Sequence, residues 1–214
     1  MPASDRAYAF AKERILDGRY AGGDLISEGD IATGVGLSRT PVREAFLRLE
    51  SEGLLRLYPK RGALVVPVSV AEVESVMETR LLVERFAIEK VIRRGVTIGP
   101  DLEDAIAQQD ALAAQGLERE FVEADREFHR LVVAAAGNDI LLALHDSLRD
   151  RQSRMGLAAL ARDEHRTRQI LDEHRALAAA VKARDAKLAR SIVDRHLQHT
   201  LTLLLGSSPA QPDP

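Results

Sequence analysis

Gly36-Leu-Ser-Arg-Thr-Pro-Val-Arg-Glu-Ala-Phe-Leu-Arg-Leu-Glu-Ser-Glu-Gly-Leu-Leu55 is the stretch from which the fold is read. Thr40 is a good N-cap, and Pro41 at a first helical position gives up no hydrogen bond, so a helix is expected to open here. Val42, Ala45, Phe46 and Leu49 follow at helical spacing until Glu52-Gly53 ends it. That apolar face turns inward and leaves Arg39, Arg43 and Arg48 outward. Arg39 and Arg43 are four apart, so they project on the same side, with the hydroxyls of Ser38 and Thr40 beside them. A guanidinium can meet guanine O6 and N7 as a bidentate pair or clamp a phosphate. A solvated charged face is the commoner use of helical Arg, and spacing alone leaves both readings open.

Upstream, Tyr8, Ala11, Ile15 and Leu16 share one face of a helix expected over 5–18, which Gly18 and Gly22-Gly23 stop. Leu25-Ile26 is a short strand or extended link. Ser27 with Asp30 is a capping-box arrangement for a short second helix ending at Gly34-Val-Gly36. Downstream, two apolar runs, Leu54–Tyr58 and Ala63–Val66, flank Pro59-Lys-Arg-Gly62 and predict a β-hairpin with a basic tip at Lys60, Arg61 and Gly62. Three helices and then a hairpin make a winged helix-turn-helix over residues 1–67.

No convincing strand follows. About six amphipathic helices are expected, near 69–94, 100–114, 118–136, 139–160, 163–183 and 186–205, so residues 68–206 form an all-α bundle and the fold class is mostly α. The tail 207–214, rich in Pro and Ser, is expected to be disordered.

Composition narrows the function. The absence of Cys excludes disulfides, thiol catalysis and Cys-type zinc sites, so any metal falls to His and carboxylates. No apolar run nears the ~18 residues of a membrane span, which predicts a cytoplasmic protein without a membrane partner. Net charge is −3, yet residues 38–62 hold 6 Lys+Arg against 3 Asp+Glu, so the basic excess is local. Gly34-Val-Gly36 is no dinucleotide fingerprint, because Arg39 stands where a third Gly is needed.

In the second domain Asp125 and His129 share a face with Phe121, Val132 and Val133. His174 falls among Ile170, Leu171, Leu177 and Val181, and His196 follows Leu188 and Ile192. Four polar groups on three apolar stripes would be costly without partners. A shared Zn, Ni, Mn, Fe or Co ion is one answer, and separately satisfied core residues are the other. His145, His165 and His199 read as solvated or structural. Arg80 can make a bidentate pair with an organic acid or a surface salt bridge to Glu84.

Ser38-Arg-Thr-Pro-Val-Arg-Glu-Ala45, Arg48-Leu-Glu-Ser-Glu-Gly-Leu54 and Arg61-Gly62 resemble the DNA-binding domain of the GntR family of regulators. By that resemblance Arg39, Arg43 and Gly62 correspond to operator-contacting positions. Gly22, where the family has Pro, and Thr33-Gly34 in the second helix depart from its pattern. Asp125-x-x-Phe-His129, Ala136-Gly-Asn138, Glu173-His-Arg-Ala-Leu177 and Arg195-His-Leu197 resemble the family's FadR-type (FCD) effector domain. The resemblance implies a metal held by Asp125, His129, His174 and His196, with Arg80 near the ligand pocket. It also implies a homodimeric regulator, expected to be a repressor, on palindromic operator DNA, with a small organic acid as effector. A metal-dependent hydrolase using the same Asp/His cluster, and a regulator whose metal is purely structural, are the alternatives.

Overall fold

A computed structural model describes residues 1–206, so the expectation for 207–214 lies outside the described residues. The chain divides into two compact units, Met1–Ser69 and one beginning at Val70.

In the first unit α1 (Ala3–Leu16), α2 (Glu28–Val35) and α3 (Arg39–Ser51) pack with a small sheet of β1 (Leu25–Ile26), β2 (Leu55–Tyr58) and β3 (Gly62–Val65). The sheet order is β1-β3-β2, antiparallel throughout, with Leu25 opposite Leu64 and Tyr58 opposite Gly62. Leu25-Ile26 is thus a third strand on the wing hairpin. Ala7, Ala11 and Ile15 of α1, Ile31 of α2 and Val42, Phe46 and Leu49 of α3 meet Leu55, Ala63 and Val65 in one apolar core.

The start of α3 differs from the sequence reading, whereas that of α2 follows it. Ser38, in extended conformation, caps α3 rather than Thr40, which puts Pro41 at the third helical position. That position still lies in the first turn, where the amide has no intrahelical acceptor, so proline costs nothing there. At α2 the Asp30 amide donates to Ser27 Oγ at 3.1 Å, and that hydroxyl donates to the Asp30 carboxylate at 2.8 Å.

Packing explains both departures from the family pattern. A Cβ on Gly34 would stand 2.8 Å from Phe10 Cζ, and one on Gly22 would stand 2.7 Å from Pro67 Cα. Glycine at these positions lets Phe10 of α1 lie against α2 and Pro67 lie against the loop after α1.

The second unit holds α4 (Val70–Arg94), α5 (Gly99–Ala114), α6 (Glu118–Ala135), α7 (Asp139–Ser147), α8 (Arg149–Leu160), α9 (Arg166–Lys182) and α10 (Ala186–Leu205). α4 packs on α10 and α6, α5 on α6 and α9, and α9 on α10, so α4, α6, α9 and α10 surround a common interior. Among the described residues there are seven helices here rather than six, because the segment expected over 139–160 breaks at Leu148. Ser147 Oγ takes the Leu144 carbonyl at 2.6 Å, and the Leu148 amide tightens back to His145 O at 3.1 Å. A short hydroxyl that competes for backbone carbonyls ends the ladder without Gly or Pro. Leu188, expected on the inward stripe of α10, is 49% exposed; Ala189, Ile192 and Val193 are buried in its place. Eight residues separate Leu188 from His196, which is more than two turns and rotates it off that face.

Candidate functional site

α6 supplies Asp125 and His129, α9 supplies His174 and α10 supplies His196. One ligand atom from each of the four lies within 4.8 Å of all the others. The histidines are buried and Asp125 is half-buried. His129 Nε2 is 3.1 Å from His196 Nε2 and 3.3 Å from His174 Nε2, while Asp125 Oδ1 is 3.5 Å from His174 Nε2.

The outer ring nitrogens determine what those inner nitrogens are. Gln109 donates its amide to the Ala124 carbonyl at 3.0 Å, so its oxygen accepts, and that oxygen is 2.8 Å from His174 Nδ1. His129 Nδ1 is 2.8 Å from Glu84 Oε2, and His196 Nδ1 is 2.8 Å from Glu173 Oε2. All three partners are acceptors, so each Nδ1 carries the proton and each neutral ring turns an unprotonated Nε2 inward. Burial holds His174 and His196 well below the ordinary imidazole range, so both rings stay neutral. Three lone pairs at contact distance, beside a buried Asp125 Oδ1 without a hydrogen-bond partner, form a donor set without a donated hydrogen. Such a set could hold a cation, and imidazole with carboxylate suits a divalent transition ion.

The residues behind the histidines are ones the sequence reading did not assign to the site. Glu84 is itself paired with Arg80, Nε to Oε1 at 2.8 Å, and both are buried, whereas the alternative sequence reading of Arg80 had that pair at the surface. Burial works to raise the Glu84 carboxyl, but the charge of Arg80 and the hydrogen bond from His129 outweigh it and hold Glu84 well below the carboxylate range. Glu173 is held by Arg166, which is fully buried. Arg166 donates to Glu173 Oε2 at 3.2 Å, to Thr200 Oγ1 at 2.8 Å and to the His196 carbonyl at 3.3 Å. Glu173 adjoins His174 in the stretch quoted above, which was a usable signal; Gln109 and Arg166 carried none.

Of the remaining histidines, His165 is exposed, His199 Nδ1 lies 3.2 Å from Arg166 Nη1, and His145 is buried 3.8 Å from Glu84. Beside the cluster lies a cavity of about 30 Å³ lined by Arg80, Asp125, Arg126, Gln152, Arg166 and His196. Arg126 Nε, Arg166 Nε and Gln152 Nε2 are buried donors without hydrogen-bond partners, although Arg126 Nε lies 3.6 Å from the Glu123 carboxylate. A space of this size takes water rather than an organic molecule until its walls part.

The first unit carries a separate groove of about 710 Å³ between α3, the start of α2 and the wing. Arg39 and Arg43 face Lys60, Arg61 and Gly62 across it. Ser38 and Thr40 lie exposed at the start of α3 and do not line it. Arg48, grouped with the DNA-facing residues on sequence, points the other way. Its guanidinium stacks 3.8 Å over the Tyr8 ring and lies 3.6 Å from Asp5 and 3.5 Å from Glu52. Nine residues after Arg39 the helix has turned about half a revolution past two full turns, which carries Arg48 to α1. Gly62 has φ +101°, and a Cβ there would stand 2.5 Å from the Ile26 carbonyl, so the sheet itself demands glycine.

Residues 3–65 match the family described as bacterial regulatory proteins, gntR family, and residues 75–199 match the FCD domain. The uncharacterized HTH-type transcriptional regulator YdhC of Bacillus subtilis (strain 168) is 29% identical over 82% of this chain and 79% of its own. The HTH-type transcriptional repressor RspR of Escherichia coli (strain K12) is 28% identical over 82% and 79%. The solved structure of E. coli McbR/YncC superposes with a TM-score of 0.73 at 22% identity, over 96% of this chain and 98% of that one, a likeness of fold.

Proposed function

Because the chain belongs to the GntR family of bacterial regulatory proteins, with an FCD domain after its winged helix-turn-helix, we propose that it represses transcription under the control of a small organic acid. The family and this chain's relatives are transcriptional regulators and not enzymes, which removes the hydrolase alternative. Two copies sit on a palindromic operator in the cytoplasm, each α3 in the major groove of one half-site. Arg39 and Arg43 reach base edges and phosphates, Ser38 and Thr40 contact the backbone at the start of α3, and Lys60, Arg61 and Gly62 carry the wing to the neighbouring backbone.

In the second unit Asp125, His129, His174 and His196 would hold a divalent transition ion. When bound, such an ion supplies a Lewis-acid seat for a carboxylate oxygen. Glu84, Gln109 and Glu173 keep the three imidazoles in the ligating tautomer, and Arg166 fixes Glu173. Arg80, with the donors of Arg126, Gln152 and Arg166 that lack hydrogen-bond partners, receives the rest of the acid once the cavity widens. Widening displaces helices of the bundle, and by linkage the acid and the operator then change each other's affinity by the same factor. The observation that carries this reading is the convergence of three unprotonated Nε2 atoms beside an unpartnered carboxylate oxygen.

The test is metal content of the purified protein and of His174→Ala, with a thermal-shift screen of small organic acids. Near-stoichiometric metal in the wild type, its loss in the variant and an acid that stabilises only the wild type are expected. Binding of an acid by metal-free wild type would make the cluster a direct hydrogen-bonding pocket. Chelation that unfolds the protein, with no acid raising its melting temperature, would leave the metal a structural role only. Arg43→Ala should abolish a gel shift with the operator, and unchanged binding would remove α3 from the interface.

A further inference from the structure

The outer side of α4 carries an apolar patch that the chain itself does not cover. Leu82 is 72% exposed and Phe86 is 44% exposed, four residues apart on one stripe. The same stripe continues to Glu78 one turn before and to Lys90 one turn after, with Lys90 Nζ 5.6 Å over the Phe86 ring. Among the described residues neither Glu78 nor Lys90 forms an ion pair. The flanking charges of α4 are used differently: Arg85 pairs with Asp194 and Glu89 with Arg190, both on α10.

Glu78, Leu82, Phe86 and Lys90 are spaced evenly about Glu84, so the stripe is complementary to its own reverse. An antiparallel copy of α4 crossing at that point sets Leu82 against the partner subunit's Phe86 and Glu78 against the partner subunit's Lys90, twice over by symmetry. A two-fold contact requires this self-complementarity of one patch. Burial of exposed Leu and Phe supplies the driving force, and the charge order fixes the antiparallel direction.

We propose that this face of α4 is the contact between two copies of the chain. The proposal rests on the two-fold regulator reading above and gives it a surface. It also ties the contact to the sensor, because Arg80 and Glu84 lie buried on the opposite side of the same two turns. An acid that moves Arg80 would therefore move the helix on which the two copies meet.

Sedimentation equilibrium of the full chain tests this, on wild type, Glu78→Lys, Lys90→Glu and the double variant, with circular dichroism to confirm the fold. Each single change places like charges opposite at two points and is expected to weaken dimerisation about tenfold, and the double change to restore it. Leu82→Asp is expected to be a folded monomer. A monomeric wild type, single variants that associate as tightly as wild type, or a double variant that stays weak would each overturn the α4 contact. The regulator reading is judged separately, by operator gel shift with the same preparations.

Discussion

His145 shows how a buried titratable residue can serve the fold without joining the site. Its ring is 1% exposed, neither nitrogen has a hydrogen-bond partner among the described residues, and Glu84 is 3.8 Å away. Burial lowers its pKa to about 4, against a partly opposing pull from Glu84. The unfolded chain takes up this proton near pH 6.5, whereas the folded protein does so only near 4. The stabilisation from keeping the ring neutral is therefore complete above pH 6.5 and is lost as pH falls toward 4, by up to about 3 kcal/mol. Urea unfolding midpoints taken from pH 7 to pH 4 should fall for wild type, and His145→Leu should flatten the fall by about one proton's worth of slope. Parallel curves for the two proteins would show that this ring is not held neutral. The three clustered histidines differ because each has a fixed partner, and Phe128 stacks on His174 with ring centroids 3.8 Å apart.

Helices whose buried face is a clean apolar stripe were legible from periodicity alone, which is why α3, α6 and α9 stood out. The break between α7 and α8 was not. His145, Gln152 and Met155 fall on one continuous stripe that runs across the turn at Leu148, so periodicity gives no sign of the break. The ligand set was legible for a related reason, since a histidine on an apolar stripe conflicts with its surroundings. Glu84, Gln109, Glu173 and Arg166 were not, because charged and amide residues on helices ordinarily face water and only tertiary packing buries these four. Gly34 in α2 departs from the family pattern, and its closeness to Phe10 makes it a packing requirement. Gly34→Ala should therefore cost about 1–3 kcal/mol by overpacking rather than gain the ~0.5–1 kcal/mol that helix propensity promises. In a Phe10→Ala background the same change should turn neutral or stabilising. Denaturant titration of the four proteins checks this, and a gain in the Phe10 background would refute the contact.

At the scale of the whole chain the electrostatics are divided. Net charge is −3, while residues 1–67 carry an excess of one positive charge and the rest carries the acidity. Long-range attraction of the molecule to DNA is therefore weak, and affinity must come from the few cations gathered in one groove, Arg39, Arg43, Lys60 and Arg61. Each cation that meets a phosphate releases condensed counterions and adds about 0.9 to the slope of log K against log salt. Lys60 is exposed at the wing tip, in a left-handed turn with φ +64°, and as a flexible point charge it suits phosphate rather than base contact. Lys60→Ala, lost from both halves of a dimer, should reduce the salt slope by about 2 and weaken all operator sequences alike. Arg43→Ala should instead weaken the cognate operator more than a scrambled one, because its contacts include base edges. Fluorescence anisotropy at four salt concentrations separates the two. Equal losses on both sequences for Arg43→Ala would place it on the backbone and leave base reading to Arg39.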